Sequence, residues 1–305
     1  MFTLSEIAFY TCLTLHMGTL FLQLISDGNK PHILVPRNIQ LVTIGGIAVF
    51  TFLPVLRVIL AVICGLILTM GWGSHAASVV DGRGFITHSL HALSLSVWIG
   101  ILIVVAWFSK GNANWLCFLA WFHPIAMICS GVTLATGIIL TLFIAPEYVN
   151  AVILPYGQAL LIKHLLFLPL LLFGFVSGFL LKKRVKAQPD FSPVFWLRAE
   201  SVFVLGIFAA TGYMGQLEPP HDVATSLQMT NTSPLFTLLY QGQMIGNPDL
   251  SLTVTPIGLL LTVVTILFGS LILFSYVRKM STLFSVGMGL LLAISGYFAL
   301  MMSIQ

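Results

Sequence analysis

Six histidines in or at the edge of apolar runs are the residues of this chain whose type and spacing could do chemistry: His16, His75, His88, His91, His123 and His164. A histidine inside a membrane segment is rare and marks a functional site by default, and imidazole is the commonest protein ligand for transition metals. His88 and His91 are three apart, which on a helix puts them on neighbouring parts of one face. His75 ends the preceding apolar run, and a short polar turn, Gly73 to Gly84, separates it from the other two. The three together predict a metal or cofactor site. The alternative for each is a buried imidazole that has found a hydrogen-bond partner.

The remaining histidines sort by depth. His164 sits about two turns into its segment beside Lys163, within reach of the same half of the bundle. His123 is about two turns in from the opposite end of its own segment, and the following Pro124 frees a backbone carbonyl one turn back. It reads equally as a second metal station or a structural polar group. His16 lies between these depths, next to Met17. Met17, Met70, Met127, Met214, Met229 and Met244 offer thioether sulfur, which selects soft ions such as Cu(I), although methionine is also ordinary apolar filler. Met127 stands four residues after His123, on the same face. His32 and His221 lie in loops and read as solvated.

Two charges fall inside spans. Lys163 can snorkel to the interface, or else repel a cation or hold an anion. Glu200 begins a helix, where it can cap the helix start or pair with Arg198 or Lys186. The four cysteines form no C-x-x-C pair and read as small apolar residues. No phosphate-binding glycine loop, nucleophile elbow or H-E-x-x-H pattern is present, so the chain reads as no enzyme.

The elements that must position these residues follow from composition. The chain is 58% hydrophobic and 7% charged, with a mean hydropathy of +1.03. A soluble domain carries roughly 25% charged residues, so this is an all-α, polytopic transmembrane helical bundle. Its net charge of +4 implies no nucleic acid. The N-terminal run has no basic region and reads as a retained helix rather than a cleaved signal. Spans of about 17–25 residues run Leu4–Ile25, Phe85–Phe108, Trp115–Phe143, Tyr156–Leu181, Leu197–Leu217, Pro256–Tyr276 and Leu283–Ser303. The stretch Ile39–Trp72 would make one helix near 50 Å long, against a hydrocarbon core of about 30 Å. Splitting it into a hairpin at Pro54 and Arg57 gives about nine spans; one broken span there gives about eight. Lys182, Lys183, Arg184, Lys186 and Arg198, then Arg278 with Lys279, and Lys110, share one side, which the positive-inside rule makes cytoplasmic. His75, His88 and His91 then stand at the outer mouth. Residues 1–305 read as a single integral membrane domain ending in an additional helix pair, 256–303.

The chain resembles the copper resistance protein D (CopD) family of bacterial inner-membrane proteins. The matching residues are Gly73, Ser74, His75 and Ala76; His88 and His91 with Trp98, Gly100 and Leu102; Phe122 to Ala126; Tyr156, Gly157, Leu161 and Lys163; Glu200; and Leu217, Glu218 and Pro219. His16 falls where some members carry a first-helix histidine. The likeness covers roughly residues 70–220 and departs from the pattern at His123, which stands for a serine, and at Ile101, which stands for a glycine. It implies copper handling at the inner membrane, with import of copper ions, Cu(I) favoured, from the periplasm and a periplasmic copper-binding protein as partner. A b-type haem protein for electron transfer stays open, with His91 and His164 or His16 and His123 as axial pairs. So does a copper sensor or assembly partner that moves nothing.

Overall fold

The computed structural model describes residues 2–25, 35–52, 64–111, 114–188, 191–240, 242 and 249–305. Its regular elements are helices, as an apolar chain requires: in hydrocarbon a backbone satisfies its own N–H and C=O groups by coiling. In order they are α1 (Phe2–Gln23), α2 (Arg37–Phe52), α3 (Cys64–Trp72), α4 (His75–Phe108), α5 (Trp115–Ile144), the single turn α6 (Tyr148–Ala151) and α7 (Pro155–Phe175). A π-helical turn, Val176–Leu180, then leads into α8 (Leu181–Ala187), followed by α9 (Val194–Met214), α10 (Val223–Met229), α11 (Pro234–Leu239), α12 (Pro256–Val277) and α13 (Thr282–Met301). Among the described residues, six helical stretches are long and apolar enough to cross a bilayer: α4, α5, Pro155–Ala187, α9, α12 and α13. The chain is an all-α, polytopic helical membrane protein. A shorter apolar helix, Ile7–Gln23, lies within α1. The 39–72 stretch contains the two helices α2 and α3; the hairpin expected at Pro54 and Arg57 lies outside the described residues, as do His32 and Met244.

The chain divides into two compact units, residues 1–143 with 175–201, and residues 144–174 with 202–305. In the first, α4 is the central helix and packs against α1 and α3, while α1 packs on α2. From Trp98 to Ala106, α4 is buried without a break. That depth depends on two glycines. A Cβ on Gly18 would run into the Gly100 backbone, and one on Gly100 into the Thr14 carbonyl, so α1 and α4 meet backbone to backbone, as membrane helices do at small residues. Phe9, Leu13 and Ile47 fill the space beside them with Met17, Leu66 and Met70.

The polar turn expected at Gly73–Gly84 is instead the bent start of α4. Ser74 caps it, its hydroxyl accepting from the Ala77 N–H at 3.2 Å. The helix then breaks at Val80 (φ −126°, ψ 26°) and Asp81 (φ 46°, ψ −124°). This bend brings the Ala76 carbonyl onto Gly84, where a Cβ has no room.

In the second unit the start of α7 is anchored in the same way: Gly157 lies against the Ala151 carbonyl, with no space for a side chain. The next residue, Gln158, is 2% exposed. Its amide donates to the Val152 carbonyl at 2.7 Å, and its carbonyl oxygen accepts from the Tyr297 hydroxyl at 2.6 Å. α12 and α13 pack on each other, tied by Thr265 to Ser295 at 2.9 Å and by Ser275 to Ser285 at 2.6 Å. The stretch 218–255, expected as loop, carries α10 and α11. Asp222 caps α10, accepting from the Thr225 hydroxyl at 2.7 Å and from the Ala224 and Thr225 N–H groups. These bonds, the Thr225 hydroxyl first, hold its carboxyl below the usual carboxylate range.

Two substitutions test this packing in detergent. Gly100→Val drives a side chain into the Thr14 carbonyl and lowers stability by about 1–3 kcal/mol, whereas Gly287→Ala, with nothing within 4 Å of the new Cβ, leaves the thermal midpoint unchanged or raised. Gln158→Leu strands the Tyr297 hydroxyl and the Val152 carbonyl and costs about 1–3 kcal/mol, read as a shift in the same unfolding curve.

Candidate functional site

The best-defined polar seam of the first unit runs between α4 and α5. His91 and Ser94 on α4 face Thr136 and Thr133 on α5, pairs three apart on each helix and therefore on matching faces. His91 Nδ1 lies 3.0 Å from Thr136 Oγ1, and Ser94 Oγ lies 2.9 Å from Thr133 Oγ1. The Thr136 hydroxyl hydrogen is already committed, donated to the Val132 carbonyl at 2.6 Å. With its hydrogen there, Thr136 presents a lone pair to His91, a pairing that goes with the tautomer protonated on Nδ1. Nε2 then holds the in-plane lone pair, which is the form in which histidine ligates a metal while its other nitrogen is held by a neighbour. Gly137 lies against the same ring, at ordinary van der Waals range for an added Cβ.

A second polar site is built on the π turn. Ser177 donates to Glu200 Oε2 at 2.9 Å, and Glu200 is 2% exposed. Gly178 lies directly against the His123 imidazole, and the Phe179 ring meets that imidazole edge-on, centroids 4.4 Å apart. His123 Nε2 is buried and has no hydrogen-bond partner among the described residues. The expected pairing of Glu200 with Arg198 or Lys186 does not occur. Arg198 donates from Nε to the Ala106 carbonyl at 2.9 Å and stacks over Trp107, while Lys186 is exposed. Ring faces and a free carbonyl hold the guanidinium at the end of α4, and the carboxyl group turns to the nearest hydroxyl instead.

The other expected site residues are more dispersed. Among the described residues no three His, Cys, Asp or Glu side chains gather around a common point, so His75, His88 and His91 do not form one three-ligand mouth. His75, in the first turn of α4 before the bend at Val80 and Asp81, is exposed, while His88 and His91 are half-buried. His16 is buried, its Nδ1 without a hydrogen-bond partner, and its neighbour Met17 packs into the α1–α3 cluster. Met127 is 52% exposed and faces outward rather than toward His123. Trp98 is buried in the α4 core. Of the cysteines expected as buried packing, Cys12 and Cys129 are half-buried and Cys117 is exposed.

In the second unit the Tyr148 hydroxyl and His164 Nδ1 are 2.8 Å apart. Burial pushes the Tyr148 phenol up to about 12, so it keeps its proton at any physiological pH. Lys163, next to His164, is half-buried. Thr133, Thr136, Ser177, Gln158 and Tyr148 were not singled out by sequence reasoning. Two signals point to three of them: a hydroxyl pair at three-residue spacing in an apolar helix, Thr133 and Thr136, and a Ser-Gly step within one, at Ser177.

With the geometry in place, known proteins can be compared. The family model for copper resistance protein D matches residues 116–214. That segment includes His123, Thr133, Thr136, the π turn, Lys163, His164 and Glu200, whereas His75, His88 and His91 precede it. The copper transport protein CutJ of Bacillus subtilis (strain 168) is 34% identical over 127 residues, 39% of this chain and 24% of that protein. The chain thus spans about a quarter of the length of this curated relative. No solved structure matches. Over residues 116–214, about a third of its length, the chain is thus similar to the copper resistance protein D family.

Proposed function

We propose that this chain handles copper in the bacterial inner membrane, importing copper ions from the periplasm through the helices of its first unit. The likeness to a copper transport protein supports the choice of ion. The observation that carries the chemistry is the His91–Thr136 contact, which, with the Thr136 hydrogen on the Val132 carbonyl, suits the tautomer in which an imidazole ligates a metal through Nε2. The ion is cargo, so it needs sites strong enough to load and weak enough to release. His75, at the exposed start of α4, receives it, from a periplasmic copper-binding protein where one delivers. His88 and His91 take it inward, His123 serves as the inner station, and His16 with Met17 lends soft ligands between them. Imidazole and thioether favour Cu(I). Tyr148, His164 and Lys163 form a separate polar station in the second unit, with the Lys163 ammonium disfavouring a cation beside it.

The depth of the two main stations is read along α5. Thr136, which holds His91, follows His123 by between three and four turns, about 20 Å at 1.5 Å per residue. That separation is about two-thirds of a hydrocarbon core of about 30 Å.

The test begins with an absorbance spectrum and metal analysis of the purified chain in detergent, then copper uptake into proteoliposomes. We expect bound copper without a Soret band, and uptake that His91→Ala removes and His32→Ala leaves intact. Thr136→Val should weaken copper affinity by about 10- to 100-fold through the lost orienting bond, and Thr136→Ser should restore it. A Soret band lost with a membrane histidine would move the reading to a haem protein, and bound copper without uptake would make the chain a sensor.

A further inference from the structure

A π turn carries one residue more than an α turn, is rare, and concentrates at functional sites. In Val176–Leu180 three consecutive residues are committed to two polar side chains from other helices: Ser177 to Glu200, and Gly178 with Phe179 to His123. Ser177 and Gly178 are chain neighbours, about 3.8 Å apart at Cα. The carboxyl group and the imidazole therefore flank the same turn.

Each group is incomplete by itself. Glu200 is buried in a segment that crosses lipid, and Ser177 is its hydrogen-bond partner among the described residues. The nearest arginine in sequence, Arg198, is spent on a carbonyl and on the faces of Trp107 and Phe195; Lys182, Lys183 and Lys186 are exposed, and the Lys182 charge bears on His123 rather than on Glu200. His123 Nε2 is buried with no donor or acceptor among the described residues. A buried carboxylate needs a positive partner and a buried ring nitrogen needs a bond. A single monovalent soft cation supplies both.

We propose that Glu200 and His123, set around the π turn, form a charge-compensated cation site of the Cu(I) and Ag(I) class, with His123 Nε2 as soft ligand and the Glu200 carboxylate as counter-charge. An imidazole alone would leave the bound ion with its full charge in low dielectric, which is costly. The carboxylate as counter-charge offsets that cost, and the more so because the Lys182 charge also bears on His123. Ser177 aims the carboxylate, and Gly178 gives the imidazole its room. The identity of the cation rests on the copper reading; the pairing of the two side chains rests on the geometry of the turn.

The full chain in detergent is titrated with Ag(I), a redox-inert probe, and bound metal is counted by mass spectrometry after equilibrium dialysis. His123→Ala is expected to lose one equivalent and His91→Ala to keep it. Glu200→Gln, which still accepts from Ser177, should weaken that equivalent at least ten-fold and leave the His91-dependent one unchanged. Ser177→Ala, which keeps the carboxyl group but not its aim, should weaken it severalfold and guards against a folding defect in the first variant. Unchanged Ag(I) binding in both Glu200→Gln and Ser177→Ala overturns the proposal, as does an equivalent that survives His123→Ala. Loss of only the inner equivalent from expectation leaves the copper reading standing; no Ag(I) bound anywhere in the wild-type chain removes both.

Discussion

Nothing but the protein can satisfy a polar side chain inside a hydrocarbon slab, and this constraint governs where each hydroxyl, imidazole and carboxyl group of the chain sits. The threonines of α5 show the rule at its simplest. Thr136 spends its hydrogen on the Val132 carbonyl one turn back, and what remains is an acceptor. That leftover lone pair suits a His91 ring protonated on Nδ1. The chemistry open to an imidazole on α4 is thus set by an ordinary back-bonded threonine on the neighbouring helix. Thr133 repeats the contact three residues earlier with Ser94, so the seam is held at two points and the ring cannot easily turn away.

Close approach of backbones serves the same end. Gly18 and Gly100 let α1 touch α4, Gly178 makes room for His123, and Gly157 lets α7 begin against the Ala151 carbonyl. In each case a side chain is missing where a polar or backbone group must come near. The glycines are therefore part of the polar design and not only of the packing. The π turn adds one more residue to a helix at the place where Ser177 and Gly178 must face different neighbours.

Much of the architecture was legible in hydropathy because span length is fixed by bilayer thickness. The reading of Pro256–Tyr276 and Leu283–Ser303 differs from α12 and α13 by a residue or two at most ends, which is the normal uncertainty of a helix end. The bend at Val80 and Asp81 was less legible, since the polar residues that suggested a turn are carried within a kinked helix. The site was legible in kind and less so in arrangement. Histidines announce themselves by being rare in lipid, but hydropathy says nothing about helix rotation. It could not tell that Met127 looks outward, that Glu200 turns to Ser177 rather than Arg198, or that His75 is exposed while His88 and His91 are half-buried. Those outcomes depend on contacts distant in sequence, such as the Arg198 side chain reaching the Ala106 carbonyl.

The dispersal of the histidines bears on the function proposed for them. A tight three-ligand cluster would hold copper firmly, as a storage or structural site does, and would have to be dismantled to let it go. Under the proposed reading the imidazoles act singly or with one helper each, on separate helices: His91 with Thr136, and His123 beside the turn that holds Glu200. Such stations bind with moderate strength, and an ion can leave one for the next by exchanging few ligands at a time. The two sites also differ in what surrounds the imidazole. Hydroxyl groups line the first and leave a cation its charge, whereas the second stands by a buried carboxyl group. Under that reading an ion moving inward would pass from a site that selects by ligand softness to one that also compensates charge.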